Sequence, residues 1–241
     1  MNKLKALIFD VDGTLADTER DGHRIAFNAA FAEAGLSWHW DAALYGELLA
    51  VTGGKERMFH YARQHAPELL AKPEFDSLVR KLHTLKTQHY VHLVQAGKLP
   101  LRPGIARLIY EARAAGVRLA IATTTSPENV TALLRASLSP EAESWFEVIG
   151  AGDIVPAKKP APDIYDWVLA RLGLPAEDCL ALEDSENGLK ASRAAGIPTL
   201  VTENAYTRGH DFAGALAVLP DLADTSLADL QQIFKNDLSS R

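Results

Sequence analysis

Two aspartates one residue apart, Asp10 and Asp12, close a short apolar run and are followed at once by Gly13. Close carboxylates repel each other and resist desolvation, so such a pair needs a cation, a shared proton or open water. Asp-x-Asp-Gly also opens a calcium loop, but the twelfth position counted from Asp10 is Asp21 rather than a glutamate, so the full calcium pattern is absent. A solvated turn at a strand end stays open on this spacing alone. Three further polar groups recur farther along: Thr123 after an apolar run, Lys158-Lys159 before Pro160, and Glu183-Asp184 after another apolar run. Each has a plain alternative. Thr123 could cap a helix, the lysines could be solvated, and Glu183-Asp184-Ser185 could be an acidic helix start.

The elements that must carry these groups decide whether they meet. Ala6 to Phe9 is apolar without alternation, as in a strand covered on both faces of a parallel sheet. From Leu99 onward helices alternate with short strands, read at Val117 to Ala122, Glu147 to Gly150, Leu180 to Glu183, Thr199 to Val201 and Leu216 to Leu219. Ser126 and Ser185 stand as helix caps. This alternation predicts a doubly wound α/β fold, a mostly parallel Rossmann-like core sheet with helices on both faces. The carboxyl ends of its strands share one edge, which would gather Asp10, Asp12, Thr123, Glu183 and Asp184, with Lys159 in the loop after a fourth strand.

Between the first strand and the rest, about eighty residues read as helix, including a long helix from about Glu74 with Phe75, Leu78, Leu82, Leu85 and His89 on one stripe. The expected organisation is a catalytic core of residues 1–16 and 98–241, with a helical cap of residues 17–97 inserted after the first strand.

Composition bounds the partners. The chain has 241 residues, 47% hydrophobic and 23% charged, with a net charge of −6, the profile of an ordinary globular protein. It gives no general electrostatic reason to bind nucleic acid or an anionic membrane, so an anionic ligand must be held by local cations. Cys179, the single cysteine, sits in an apolar run and is read as a buried thiol. With no signal-like or membrane-length apolar segment, the chain is expected to act in the cytoplasm as a monomer.

Taken in order, Asp10-Val11-Asp12-Gly13-Thr14-Leu15, Thr123, Lys159-Pro160-Ala161-Pro162-Asp163 and Glu183-Asp184 resemble the four motifs of haloacid dehalogenase (HAD) superfamily phosphatases. The resemblance implies that Asp10 is the nucleophile that forms an aspartyl phosphate and Asp12 the general acid and base. It implies that Thr123 holds phosphoryl oxygens, that Lys159 balances charge, and that Mg2+ is bound by Asp10, the Asp12 backbone, Glu183 and Asp184. Thr124, Thr125 and Ser126 would add contacts, and Lys158 is read as solvent-facing.

Thr52-Gly53-Gly54-Lys55-Glu56-Arg57 is a glycine loop at a helix start bearing two cations, suited to a second phosphate or to sugar hydroxyls. Asp17, His23 and Lys86 are further candidate substrate contacts, with a surface reading beside His23 and Lys86 and that of a first-turn acid beside Asp17. The loop and Leu82-His83-Thr84-Leu85-Lys86-Thr87 are similar to the CbbY branch of the family. That resemblance implies dephosphorylation of xylulose 1,5-bisphosphate, an inhibitor of the carbon-fixing enzyme of the Calvin cycle. The stretch Asp17-Thr18-Glu19-Arg20-Asp21-Gly22-His23 departs from the branch, which carries a glutamate first and a shorter path to the histidine. Alternatives within the family are a β-phosphoglucomutase-like sugar phosphomutase and a phosphatase for another small ester such as phosphoglycolate; outside enzymes, a silent sugar phosphate sensor.

Overall fold

The computed structural model describes residues 4–240. The chain enters through β1 (Ala6–Phe9) and then builds a π-helical turn (Glu19–His23) and helices α1 (Arg24–Glu33), α2 (Ala42–Leu48), α3 (Gly54–His65), α4 (Pro67–Leu70) and α5 (Phe75–Gln95). It returns through α6 (Ile105–Ala114), β2 (Arg118–Ala122), α7 (Pro127–Ser137), β3 (Val148–Gly150), α8 (Asp163–Leu172) and β4 (Cys179–Glu183). It closes with α9 (Glu186–Ala194), β5 (Thr199–Thr202), β6 (Ala217–Leu219) and α10 (Leu227–Ser240).

The six strands form one parallel sheet in the order β3-β2-β1-β4-β5-β6, the doubly wound arrangement read from the alternation. β1 lies inside it, with Phe9 in register with Ile121 of β2 and Leu182 of β4. Both of its faces are covered, which explains the unbroken apolar run. Leu7 and Phe9 pack with α6, α7 and α10, whereas Ala6 and Ile8 pack with α8 and Ile197.

Helices α1 to α5 have a core of their own, centred on Phe27, Phe31, Trp40, Tyr45, Met58 and Leu82. Asp41 caps α2 by accepting a hydrogen bond from Leu44 N at 2.9 Å. The buried face of α5 differs from the stripe expected of it: Phe75, Val79, Leu82, Lys86, Tyr90 and Val94 point inward. Leu85 and His89 are half-exposed, and His89 pairs with Glu33 at 2.8 Å. The reason is Lys86, whose covered stem and ammonium lie over the Phe27 and Tyr90 rings, 5.1 and 5.5 Å from their centroids. Among the described residues no helix is long and apolar enough to cross a membrane.

Candidate active site

The strand ends deliver what the sheet order promises. Asp10 follows β1 directly, its N–H donating to Leu182 O of β4 at 3.0 Å. Thr123 follows β2, and Glu183 and Asp184 close β4; all four are buried. Lys159 reaches in from the loop before α8, its Nζ 2.6 Å from Asp10 Oδ1, 2.7 Å from Glu183 Oε1 and 2.9 Å from Ala122 O. Asp10, Glu183 and Asp184 offer carboxylate oxygens that lie within 4.8 Å of one another.

Three buried acids beside one lysine leave an excess of negative charge. Burial pushes the Asp10 carboxyl up to about 8, against the attraction of Lys159 and helped by Glu183 and Asp12. Burial, Asp10 and Glu183 likewise hold Asp184 well above the ordinary range. Burial would lower the Lys159 ammonium, yet Asp10 and Glu183 outweigh it and keep that group charged. A small hard cation fits this donor set: oxygen ligands only, closely spaced, and short of positive charge.

Asp12 stands outside that group of three. Its Oδ1 meets His23 Nε2 at 2.7 Å and accepts from Thr18 Oγ1 at 2.6 Å. Burial alone would raise the Asp12 carboxyl, but His23, Thr18 and Lys86 hold it well below its ordinary value. The path from Asp17 to His23 passes through the π-helical turn Glu19–His23, a wider coil that takes up extra chain and still lands the histidine on Asp12. The His23 ring stacks on Tyr90 at a centroid distance of 4.2 Å.

After β2, Thr125 N donates to Thr123 Oγ1 at 3.3 Å, and Asn129 Nδ2 to Thr125 Oγ1 at 3.0 Å. Ser126 stands before α7 as its cap residue but makes no side-chain capping bond; its Oγ is buried without a partner beside the cavity. Ser185 does cap α9, accepting from Gly188 N at 3.2 Å.

A cavity of about 400 Å3 lies between the sheet edge and the helical layer, lined among others by Asp10, Asp12, Gly53, Arg57, Thr123, Thr124 and Lys159. Gly54, His83, Lys86, Thr125 and Ser126 line a small recess that adjoins it at Asp12, Gly53 and Arg57. Gly53 has φ +98, a conformation that suits glycine, and brings its backbone to the cavity wall. Arg57 is buried and donates to Tyr45 Oη at 2.9 Å and Leu48 O at 3.2 Å, while Tyr45 donates to Glu19 Oε2 at 2.5 Å. Glu19 and Arg57 thus face the cavity as a fixed pair.

Three expectations need correction. Lys55 lines neither cavity; its ammonium is drawn to the carboxylate of Asp153 in the loop after β3. Lys158 is not solvent-facing: it pairs with the same Asp153 at 2.7 Å and with Glu56 at 3.5 Å, its side chain 15% exposed. Asp17 points to Arg102 Nε at 3.4 Å and lines a neighbouring cleft, drawn there by a buried guanidinium.

Sequence reasoning missed three residues here. Tyr165 donates to Glu183 Oε1 at 2.5 Å, Asn204 Nδ2 donates to Asp184 Oδ2 at 2.7 Å, and Arg102 ties the strand-end loops by donating to Gly13 O, Thr202 O and Pro220 O. Asn204 had a usable signal, since it follows the fifth strand and so belongs to the same edge. A tyrosine in an apolar helix carries none.

A sequence model of the haloacid dehalogenase-like hydrolase family matches residues 4–196. The chain is 58% identical over 221 residues to the plasmid-borne protein CbbY of Cupriavidus necator, covering 92% of this chain and 87% of that one. CbbY of Rhodobacter sphaeroides in complex with phosphate superposes with a TM-score of 0.86 at 48% identity, covering 94% of this chain and 99% of that one. A mutant of the same protein in complex with xylulose-(1,5)bisphosphate gives 0.87 at 47% identity, covering 95% and 99%.

Proposed function

The chain belongs to the haloacid dehalogenase-like hydrolase family, and from that premise we propose that it is a Mg2+-dependent phosphatase whose substrate is a sugar bisphosphate, xylulose 1,5-bisphosphate first among them. The observation that carries the reading is the contact of Lys159 Nζ with Asp10 Oδ1 at 2.6 Å, beside two further buried acids. The xylulose bisphosphate held by the similar CbbY supports the choice of substrate.

In the first half of the reaction an Asp10 oxygen forms a bond to phosphorus, the bond from phosphorus to the sugar oxygen breaks, and that oxygen takes a proton from Asp12. In the second half water attacks the aspartyl phosphate, Asp12 takes the water's proton, and the bond from phosphorus to Asp10 breaks. The proton borrowed from Asp12 is thereby returned. The arrangement seen here, with Asp12 held ionised by His23 and Thr18, fits the half-cycle in which it acts as base. Lys159 balances charge on Asp10 and the phosphoryl group, and Thr123 with nearby N–H groups holds its oxygens. A magnesium ion bound by Asp10, Glu183 and Asp184 would offset their charge and polarise the phosphoryl oxygens. Glu19, Arg57 and Lys86 sit where the remainder of the sugar and its second phosphate would lie.

The test is release of inorganic phosphate from a panel that includes xylulose and ribulose 1,5-bisphosphates, with Mg2+ and after chelation. The expected result is turnover of the xylulose compound that vanishes in Asp10→Asn and without metal. Full turnover by freshly folded Asp10→Asn defeats the mechanism, and an isomeric sugar phosphate without free phosphate defeats hydrolysis in favour of a mutase.

A further inference from the structure

A lysine ammonium has three hydrogens to donate, and here each has its acceptor: Asp10 Oδ1, Glu183 Oε1 and Ala122 O. Lys159 so engaged has none left for a phosphoryl oxygen. One acceptor must be released when a phosphoryl group arrives. Asp10 is the group that the phosphoryl reacts with, and Ala122 O is fixed in the backbone at the end of β2. Glu183 is therefore the acceptor to be released. Leaving a buried carboxylate oxygen without a donor is costly, and Glu183 is 1% exposed.

Glu183 cannot follow the lysine out. Its carboxylate is packed against Gly188 so closely that a Cβ built on that glycine would overlap it. The same oxygen that Lys159 holds, Oε1, is held also by the Tyr165 hydroxyl at 2.5 Å. A carboxylate only accepts, so the hydroxyl is the donor. Tyr165 is wholly buried on α8, its ring 5.2 Å from Lys159 Nζ.

We propose that Tyr165 is a positioning residue: by keeping Glu183 Oε1 bonded on its own, it lets Lys159 exchange that oxygen for one of the transferring phosphoryl group. The proposal rests on the phosphatase reading of the site. It assigns Tyr165 no contact with substrate.

Inorganic phosphate is the probe, titrated calorimetrically into Mg2+-saturated wild type and Tyr165→Phe, which removes the hydroxyl and keeps the ring. The dissociation constant for phosphate should rise about tenfold, while Mn2+ affinity, read by electron paramagnetic resonance, stays within about twofold. In a Glu183→Gln background, where no anionic oxygen awaits the hydroxyl, Tyr165→Phe should change phosphate affinity less than about twofold. Unchanged phosphate affinity in folded Tyr165→Phe overturns the proposal. So does a full loss in the Glu183→Gln background, which would mark a packing role. Should Tyr165→Phe not fold, the wild type decides by proton NMR: the Tyr165 hydroxyl resonance persists under saturating phosphate if the bond is kept, and its loss overturns the exchange. Failure of the phosphatase reading shows separately, as wild-type protein that releases phosphate from no ester.

Discussion

His23 Nε2 lies 2.7 Å from Asp12 Oδ1, and through this contact a residue of the helical segment holds the second acid of the first motif in its charged form. Replacing His23 by alanine removes the strongest of the influences that depress the Asp12 carboxyl. Asp12 loses its charge as pH falls, so without His23 it does so at a higher pH. In His23→Ala the acid limb of the kcat profile should move upward by about a pH unit, with kcat at neutral pH down about tenfold or more. Superimposable profiles would leave His23 a packing residue only.

The acids Asp10, Glu183 and Asp184 are buried with their carboxylate oxygens within 4.8 Å of one another, so the protein without metal should be strained by their charge. Added Mg2+ is expected to raise the thermal midpoint with a dependence that follows its binding. Asp184 carries the ionised form at a cost, since burial and its neighbours push its carboxyl upward. Asp184→Asn should therefore stabilise the metal-free protein by about 1 kcal/mol and abolish the response to Mg2+. A midpoint that still rises with Mg2+ would place the cation elsewhere.

Asp153 holds Lys55 and Lys158 together, and so keeps the cation of the glycine loop away from the cavity. Lys55→Ala should therefore leave KM for a bisphosphate within about twofold of wild type, whereas Arg57→Ala, which removes a cation that lines the cavity, should raise it about tenfold and affect a monophosphate less. Steady-state kinetics with matched mono- and bisphosphates checks both, and a bisphosphate KM raised as much by Lys55→Ala as by Arg57→Ala would return the lysine to the substrate.

His83 should make the fold acid-sensitive. Burial, with Lys86 and Lys55 nearby, lowers its imidazole from 6.5 to about 4. Between those two values the unfolded chain binds a proton that the folded chain refuses, so stability falls as pH drops through that window. His83→Gln has no proton to gain there. Urea unfolding at pH 7 and pH 4.5 should show a loss smaller in the variant by on the order of 1 kcal/mol, the ring being partly open to solvent.

Much of this was legible in the residues. Runs such as Ala6–Phe9 and Cys179–Glu183 are apolar because both faces of the sheet are covered, and that alone places Asp10, Glu183 and Asp184 on one edge. The stripe on α5 misled because a lysine reads as outward, while here Lys86 is buried against two rings with its charge turned to Asp12. Lys55 could not be placed from sequence, since Asp153, the acid that claims it, lies 98 residues away in the chain; Lys158 shares a loop with that acid, five residues on, and reads as solvated only because that is the usual fate of two adjacent lysines. Tyr165 acts through one hydrogen bond to Glu183, and a hydrogen bond leaves no periodicity, whereas Asn204 was legible from its place just after β5 on the same edge.

The position of β1 between β2 and β4 has a consequence for synthesis on the ribosome. The strand that carries Asp10 emerges first, yet both of its sheet neighbours follow only after the whole helical segment, and β4 after three further helices. A nascent or truncated chain that ends before β4 holds Asp10 without Glu183 and Asp184, and without the Leu182 carbonyl that anchors its amide. Activity should thus switch on late and all at once, so that no fragment of the enzyme is a phosphatase in its own right.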